Sequence, residues 1–525
     1  MQTDIEIKVS PRVANSPIAI KQVATDALGV DPKSVNYVRV LRRSIDARQR
    51  EVYVILLVRA YVGENPDDGS LMPVIEYKPV GGSKNAIIVG AGPAGLMAAL
   101  RLIELGVKPI VIERGKPVEQ RQRDISASIR SGIVDPNSNY CFGEGGAGAF
   151  SDGKLYTRSR KRGSVERILA ILVQHGAPRE ILIDAHPHIG TDRLPGVIAR
   201  IRKTILDCGG EVHFGCRVDG LMVKDGAVEG VKTANGSEFH GPVILATGHS
   251  ARDIYRMLYG RGIMVEAKGI AIGVRVEHPQ QLIDQIQYHN LEGRGRYLPA
   301  AEYTLSTQVE GRGVYSFCMC PGGFIVPAAT EPEQLVVNGM SPANRGSKWA
   351  NSGIVVELRA EDIETSSSNP LALMELQERL EHRMYAATGS LVAPAQRLAD
   401  FVAMKSSQDL PKSSYAPGVT PMRVDQLLPM SISRRLRAGM EIFGKKKPGW
   451  VTNEAVVIGL ESRTSSAVRI PRDNVALHHI SLPGLYPCGE GAGYAGGIVS
   501  AAIDGERCAE ALAAKIYNKN NIYNG

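Results

Sequence analysis

The chain has 525 residues and carries 62 Lys+Arg against 54 Asp+Glu, a formal net charge of +8. Its 43% hydrophobic and 22% charged residues exclude a disordered chain, and its length exceeds one ordinary domain. Glycine is high at 56 residues, about 11% against a usual ~7%, but with no repeating triplet that would signal collagen.

The opening MQTDIEIKVS has neither a basic nor an apolar leader region, and the most apolar stretch, 86–112, is broken by Arg101, Glu104 and Lys108. Seven cysteines are too sparse for a disulfide framework. The expectation is a soluble protein of a reducing cytoplasm, with no membrane partner.

In chain order, residues 1–83 predict a small βαββ α+β domain. Its strands are 4–9, 35–41 and 52–62, and its helix is 18–28 after Ser16 and Pro17. It closes at Gly81, Gly82 and Ser83. From residue 84 strands and helices alternate: strand 86–89, a glycine loop, helix 96–105, strand 109–112. Thr191 or Asp192 offers an N-cap for a helix at 194–206. A β-meander is expected over 210–233, then a buried strand at 243–245. The whole predicts an α/β chain: a Rossmann-type domain over 84–261, an inserted mixed α+β domain over 262–450, and a C-terminal return over 451–525. That return holds a strand at 484–487, a glycine loop and a helix at 498–516.

The pattern G-x-G-x-x-G starts at Gly90, at Gly143 and at Gly491. Only the first has the context that gives it meaning. It follows a strand and opens a helix, so Gly90, Gly92 and Gly95 permit a tight turn, close approach to a pyrophosphate and close helix–strand packing. Glu113 ends the next strand, where a carboxylate accepts from an adenosine ribose; glutamate there disfavours a 2′-phosphate.

Gly90–Gly95 with Glu113, the strand followed by Ala246, Thr247 and Gly248, and the segment Tyr486–Gly493 together resemble FAD-binding oxidoreductases of the glutathione reductase superfamily, in its single-Rossmann branch. The segments Phe142–Lys154, Gly273–Pro279, Cys318–Gly323 and Glu461–Ser466 are similar to the bacterial family of uncharacterised FAD-dependent dehydrogenases. The resemblance covers nearly the whole chain. It implies FAD, with Gly90, Gly92, Pro93, Ala94 and Gly95 at the pyrophosphate and Glu113 with Arg114 at the adenosine side. Val218, read as the end of a strand 211–218, would meet the adenine. Gly145, Gly146, Ala147, Thr247, Gly248, Gly489, Gly497 and Ile498 would also contact the cofactor. Glu490 stands where an aspartate is usual, and the helix near Gly497 would aim its positive end at the flavin.

Candidate catalytic residues are Cys318, His188 and Arg275. Cys318 and Cys320 are either a redox pair or small residues of a tight passage, and C-x-C spacing would strain a local disulfide. His186 and His188 could donate protons. Arg275 and His278 could bind a substrate carboxylate or form a solvated strand edge. Basic clusters at Arg39, Arg42, Arg43, Arg48 and Arg50, at Lys154, Arg158, Arg160, Lys161 and Arg162, and at Lys445–Lys447 read as solvated faces or as docking sites for an anionic substrate or pyridine nucleotide, while aromatics at only 5% of the chain give little support to nucleic-acid binding. The expected function is a FAD-dependent oxidoreductase passing hydride to or from a small-molecule substrate. NADH or NADPH would be a transient donor, and no nucleic acid partner is expected. The alternatives are an RNA-modifying flavoprotein and a non-catalytic flavin-binding protein.

Overall fold

The computed structural model describes residues 1–66, 74–157 and 162–522, with side chains up to 518. Arg158, Arg160 and Lys161 of the second basic cluster lie outside the described residues.

The first unit is a three-stranded antiparallel sheet with Tyr53–Val62 between Gln2–Val9 and Val35–Asp46. Alternation along the central strand buries Val54, Leu56 and Val58 against Ile20 and Ala24 of the helix Pro17–Leu28. Ser16 caps that helix by accepting from the Ala19 amide at 3.3 Å, and Gly29 ends it in a left-handed turn. The strand Val35–Asp46 runs past the expected residue 41, because its ladder with Tyr53–Val62 continues to Asp46 opposite Tyr53, and it also meets the 183–185 segment. The Arg43 amide donates to the Ile183 carbonyl, and the Ala185 amide donates to the Arg43 carbonyl. The first arginine cluster is largely engaged: Arg43 is ion-paired with Asp184, Arg48 with Asp46, and Arg39 donates to the Tyr61 hydroxyl.

The second unit is a parallel sheet of five strands in the order Leu485–Pro487, Val243–Leu245, Asn85–Val89, Lys108–Ile112, Glu211–His213. Its strands are short and apolar because both faces are covered. The helices Pro93–Glu104 and Ile498–Ile522 lie against each other so closely that a Cβ on Gly505 would meet the Ala94 carbonyl oxygen at 2.1 Å. The expected strand 211–218 is in fact two elements. Glu211–His213 completes the parallel sheet, the chain turns at Gly215, and Val218 begins a separate antiparallel sheet with Ala227–Thr233 and Glu238–His240. The expected cap at Thr191 or Asp192 is absent. The helix Leu194–Asp207 has no side-chain cap, and Asp192 instead accepts from the Ala343 amide at 2.7 Å.

The third unit is a seven-stranded mixed sheet in the order Ser306–Val309, Arg312–Cys320, Trp349–Leu358, Ile270–Pro279, Val456–Glu461, Ala393–Arg397, Val419–Pro421. It takes one strand from beyond residue 450. The helices Ala372–Thr388 and Met430–Lys446 contribute Met384, Met440 and Phe443 to its core. Ile270–Pro279 is a central strand, so Arg275 and His278 are fully buried and form no solvated edge. His278 bonds the Trp450 carbonyl at 2.8 Å, and burial lowers its basicity to a pKa of about 4.

Candidate active site

A cleft of about 380 Å³ lies along the carboxyl ends of the parallel strands, and Phe317, Cys318 and Asn338 of the third unit close its other side. In an open α/β sheet this is where ligands bind. Its first wall is the loop after Asn85–Val89. Gly90 has φ +105°, and a Cβ there would meet the Ala246 carbonyl oxygen at 2.7 Å. The helix that follows starts with Pro93 and has no side-chain cap, so its N-terminal dipole faces the cleft. The Glu113 carboxylate organises this wall by accepting from the amides of Ala91 (2.9 Å), Gly115 (2.9 Å) and Gly143 (3.1 Å). Arg114 is ion-paired with Asp253 and sits 4.3 Å over the Phe142 ring.

The second wall is the segment 139–148. It has no regular strand to shape it, and Arg121 does that work from the helix Val118–Ser131. Its buried guanidinium donates to the carbonyls of Asn139 (2.8 Å), Tyr140 (2.6 Å), Glu144 (2.9 Å) and Gly146 (2.6 Å). The third wall is made by Thr247, Gly248, Glu490, Gly497 and Ile498. Here a Cβ on Gly491 would meet the Thr247 carbonyl oxygen at 1.9 Å. Glu490 has its carboxyl pushed up to about 7 by burial, with Lys268 pulling the other way.

Of the residues expected at a cofactor, Gly90, Gly92, Pro93, Ala94, Glu113, Arg114, Gly146, Ala147, Val218, Thr247, Gly248, Glu490, Gly497 and Ile498 all line this one cleft. Gly95, Gly145 and Gly489 do not. Gly95 packs on the Gly90 carbonyl, Gly145 on Ile198, and Gly489 on Ala94, so they shape the walls from behind. Of the catalytic candidates only Cys318 lines the cleft. His188 bonds the Ala343 carbonyl at 3.1 Å, and burial lowers its basicity. Arg275 is buried beneath Cys318, donating to its carbonyl at 2.6 Å and to Glu461.

Residue types in sequence gave no notice of several lining groups. His249 faces the cleft, and burial together with Arg463, Arg252 and Lys268 lowers its pKa to about 3, so it is a neutral imidazole. Arg463 belongs to a buried group in which Glu381 accepts from both Arg463 and Arg252, leaving a net positive charge behind the cleft. Asp152 and Lys154 also line it. His249 directly follows Thr247 and Gly248, a signal that adjacency alone could have given. Arg463 and Arg121 reach their places only through tertiary packing.

The cradle suits a long phosphate-bearing cofactor. A Cβ on Gly92, Gly248 or Gly497 would meet nothing within 4 Å, so each leaves open room on the ligand side, and two helix N-termini converge there. Family models match in the same places. Residues 84–138 match an FAD binding domain, 193–324 an FAD dependent oxidoreductase, and 269–464 the C-terminal domain-like region of an FAD-dependent protein. Residues 1–61 match a domain of unknown function, DUF8436. The chain is a FAD-dependent oxidoreductase.

It is 40% identical over 507 residues to a Clostridium beijerinckii protein that bears the name "Uncharacterized protein", covering 93% of this chain and 94% of that one, and it belongs to the same family. Protein FixC of Salmonella typhi is 28% identical over 40% of this chain and 47% of its own length. Two solved structures are distant likenesses. A geranylgeranyl bacteriochlorophyll reductase-like protein from Thermoplasma acidophilum has 15% identity, covers 83% of this chain and 80% of its own, and has a TM-score of 0.35. CtdE in complex with FAD has 12% identity, covers 83% and 90%, and has a TM-score of 0.32. Among the described residues no helix is long and apolar enough to cross a membrane.

Proposed function

We propose that the cleft holds FAD tightly and passes a hydride between a small-molecule substrate and an electron partner at the face closed by Phe317 and Cys318. The observation that carries this is the convergence of the Gly90–Gly95 turn, the 139–148 segment and the Glu490–Ile498 segment on a single cleft. Gly90, Gly92, Pro93 and Ala94 would hold the pyrophosphate on the helix N-terminus, with Glu113, Arg114 and Val218 on the adenosine side. Gly146, Ala147, Thr247, Gly248, Glu490, Gly497 and Ile498 would line the rest, with Gly95, Gly145 and Gly489 keeping the walls close. Bound FAD supplies two-electron chemistry that no side chain can perform.

The chain supplies the electrostatics. The N-terminus of the Ile498–Ile522 helix, Lys268 and the net charge of the Arg252–Glu381–Arg463 group favour negative charge in the cleft. The neutral His249 adds a polar contact without a further charge.

On this reading the chain is a single-Rossmann member of the glutathione reductase superfamily. The parallel sheet carries the cofactor, the seven-stranded unit covers the substrate side, and the N-terminal unit buttresses both. NADH or NADPH would visit transiently as donor. All seven cysteines are free, which suits a reducing compartment such as the cytoplasm. The test is the purified protein's flavin spectrum, followed by anaerobic addition of NADH and of NADPH. A yellow protein bleached by one of them is expected. A colourless protein that takes up no added FAD would overturn the reading.

A further inference from the structure

We propose that Cys318 and Cys320 form a dithiol–disulfide couple that exchanges electrons with the flavin, making small disulfides and thiols the substrate class. The proposal rests on the FAD reading above and adds a second redox centre to it. Four observations support it. First, Cys318 lines the cleft while Cys320, two residues on, is fully buried behind it. An outward nucleophile is thus paired with a sheltered resolving thiol. Second, the strand Arg312–Cys320 pairs regularly with Trp349–Leu358 up to Phe317, and then its register shifts. Cys318 takes φ +45°, a left-handed conformation that is strained for a non-glycine residue and collects at functional sites.

Third, the distortion turns the Cys320 sulfur back on its neighbour, 3.4 Å from the Cys318 carbonyl oxygen. Fourth, two cations clamp the turn. Arg275 donates to the Cys318 carbonyl at 2.6 Å and reaches the Cys320 sulfur at 3.7 Å, and Lys154 donates to the Met319 carbonyl. Arg275 is itself fixed by Glu461, Asn351 and Asn338. The Cys320 thiol beside it, with Lys154 and Arg275, lowers the Cys318 thiol below the ordinary thiol range, which favours Cys318 as the attacking sulfur.

The chemistry balances. In the oxidising direction the S–H bond of Cys320 breaks and the Cys318–Cys320 S–S bond forms. Two electrons and the Cys320 proton pass to the oxidised flavin. With a disulfide RSSR in place of the flavin, the Cys318 thiolate attacks one sulfur and expels RS⁻. Cys320 then attacks the Cys318 sulfur, its proton leaving with one of the two departing thiols, so the products are the protein disulfide, RSH and RS⁻. Arg275 is a positioning residue for both sulfurs.

The test uses the FAD-loaded protein, oxidised with diamide, desalted, and titrated anaerobically with dithionite. Four electrons per flavin are expected, falling to two in Cys320→Ser. Denaturing thiol counts should drop by two on oxidation, with the loss mapping to the peptide carrying Cys318 and Cys320. Bis(2-hydroxyethyl) disulfide should reoxidise the photoreduced wild-type flavin well above the rate of buffer alone, and should leave a mixed disulfide on Cys318 in the Cys320→Ser protein. A flavin that bleaches with two electrons and no thiol loss would overturn the couple while leaving the FAD reading intact. Thiol loss mapped instead to Cys488 and Cys508, which also lie close together, would overturn it as well. Should the protein carry no flavin, the FAD reading fails, and the diamide peptide map alone still decides whether the pair can close.

Discussion

Gly92 and Glu144 show how single residues in the first two walls face opposite ways, one into the cleft and one into the protein. A Cβ at Gly92 meets no protein atom within 4 Å, so Gly92→Val should fold and melt nearly as the parent does. The added methyls, however, stand where the helix amides face the cleft, and flavin retention after desalting should fall to a few per cent or less; a fully yellow Gly92→Val protein would refute the assignment. Glu144 points the other way, fully buried, with one oxygen accepting from the Val118 amide (2.9 Å) and Arg202 (2.7 Å) and the other without a partner. Burial raises its carboxyl from 4.5 to about 7. A raised carboxyl binds more protons in the folded state, so its contribution to stability is complete below pH 4.5 and is lost as pH rises through 7. The stability of wild type minus that of Glu144→Gln should therefore fall by roughly 2–3 kcal/mol between pH 4.5 and 8. Urea melts at four pH values measure this, and a flat difference would mean an ordinary carboxylate.

At the scale of elements, what could be read from sequence is whatever local chemistry dictates. The strand–glycine–helix run at 85–104 is set by a short continuous apolar run, three glycines and a proline, and it folds within a few residues of its expected limits. The helix Val118–Ser131 escaped notice because its sequence, VEQRQRDISASIRS, buries only Val118, Arg121 and Ile125 and leaves a weak apolar stripe. Yet that helix carries Arg121, whose five carbonyl contacts give the 139–146 segment its shape. The strand expected at 211–218 failed for a related reason: Gly215 and Cys216 look like strand residues in isolation, but the Cys216 amide is taken by the Glu113 carbonyl and the chain turns. Arg121→Met should cost about 3 kcal/mol or more, since buried carbonyls lose a charged donor, and should speed proteolysis within 137–148 while the far sheet stays protected. Limited proteolysis with mass mapping checks it, and uniform protection would show that the segment is held by something else.

For the molecule as a whole, the α/β class and the gathering of the residues expected at a cofactor into one cleft were legible because glycine loops are punctuation that survives in sequence. The rest of the cleft lining was not. His249, Arg463 and Lys154 have ordinary side chains whose meaning comes from packing between units, and Arg275 and His278 were misjudged because an alternating strand looks the same at an edge and at the centre of a sheet. FAD would contact segments from both ends of the parallel unit, so its removal should lower stability by about 3–4 kcal/mol, relative to protein with free FAD at 100–1,000 times its Kd. A melting temperature indifferent to FAD would argue against that bridging.

The pairing of the Pro93–Glu104 helix with the Ile498–Ile522 helix also sets an order of events in time. Arg101 bonds Glu510 at 2.9 Å across 409 positions of sequence. A ribosome adding about 5–20 residues per second therefore makes the first glycine turn on the order of 20–80 s before its partner helix and the edge strand Leu485–Pro487 exist. Throughout that interval Pro93–Glu104 can pack on the early strands Asn85–Val89 and Lys108–Ile112, but the side that meets the late helix stays uncovered and the cleft lacks a wall. Flavin capture thus belongs after synthesis of the late segment, and a nascent chain arrested before it leaves open the side of Pro93–Glu104 that Gly505 later covers.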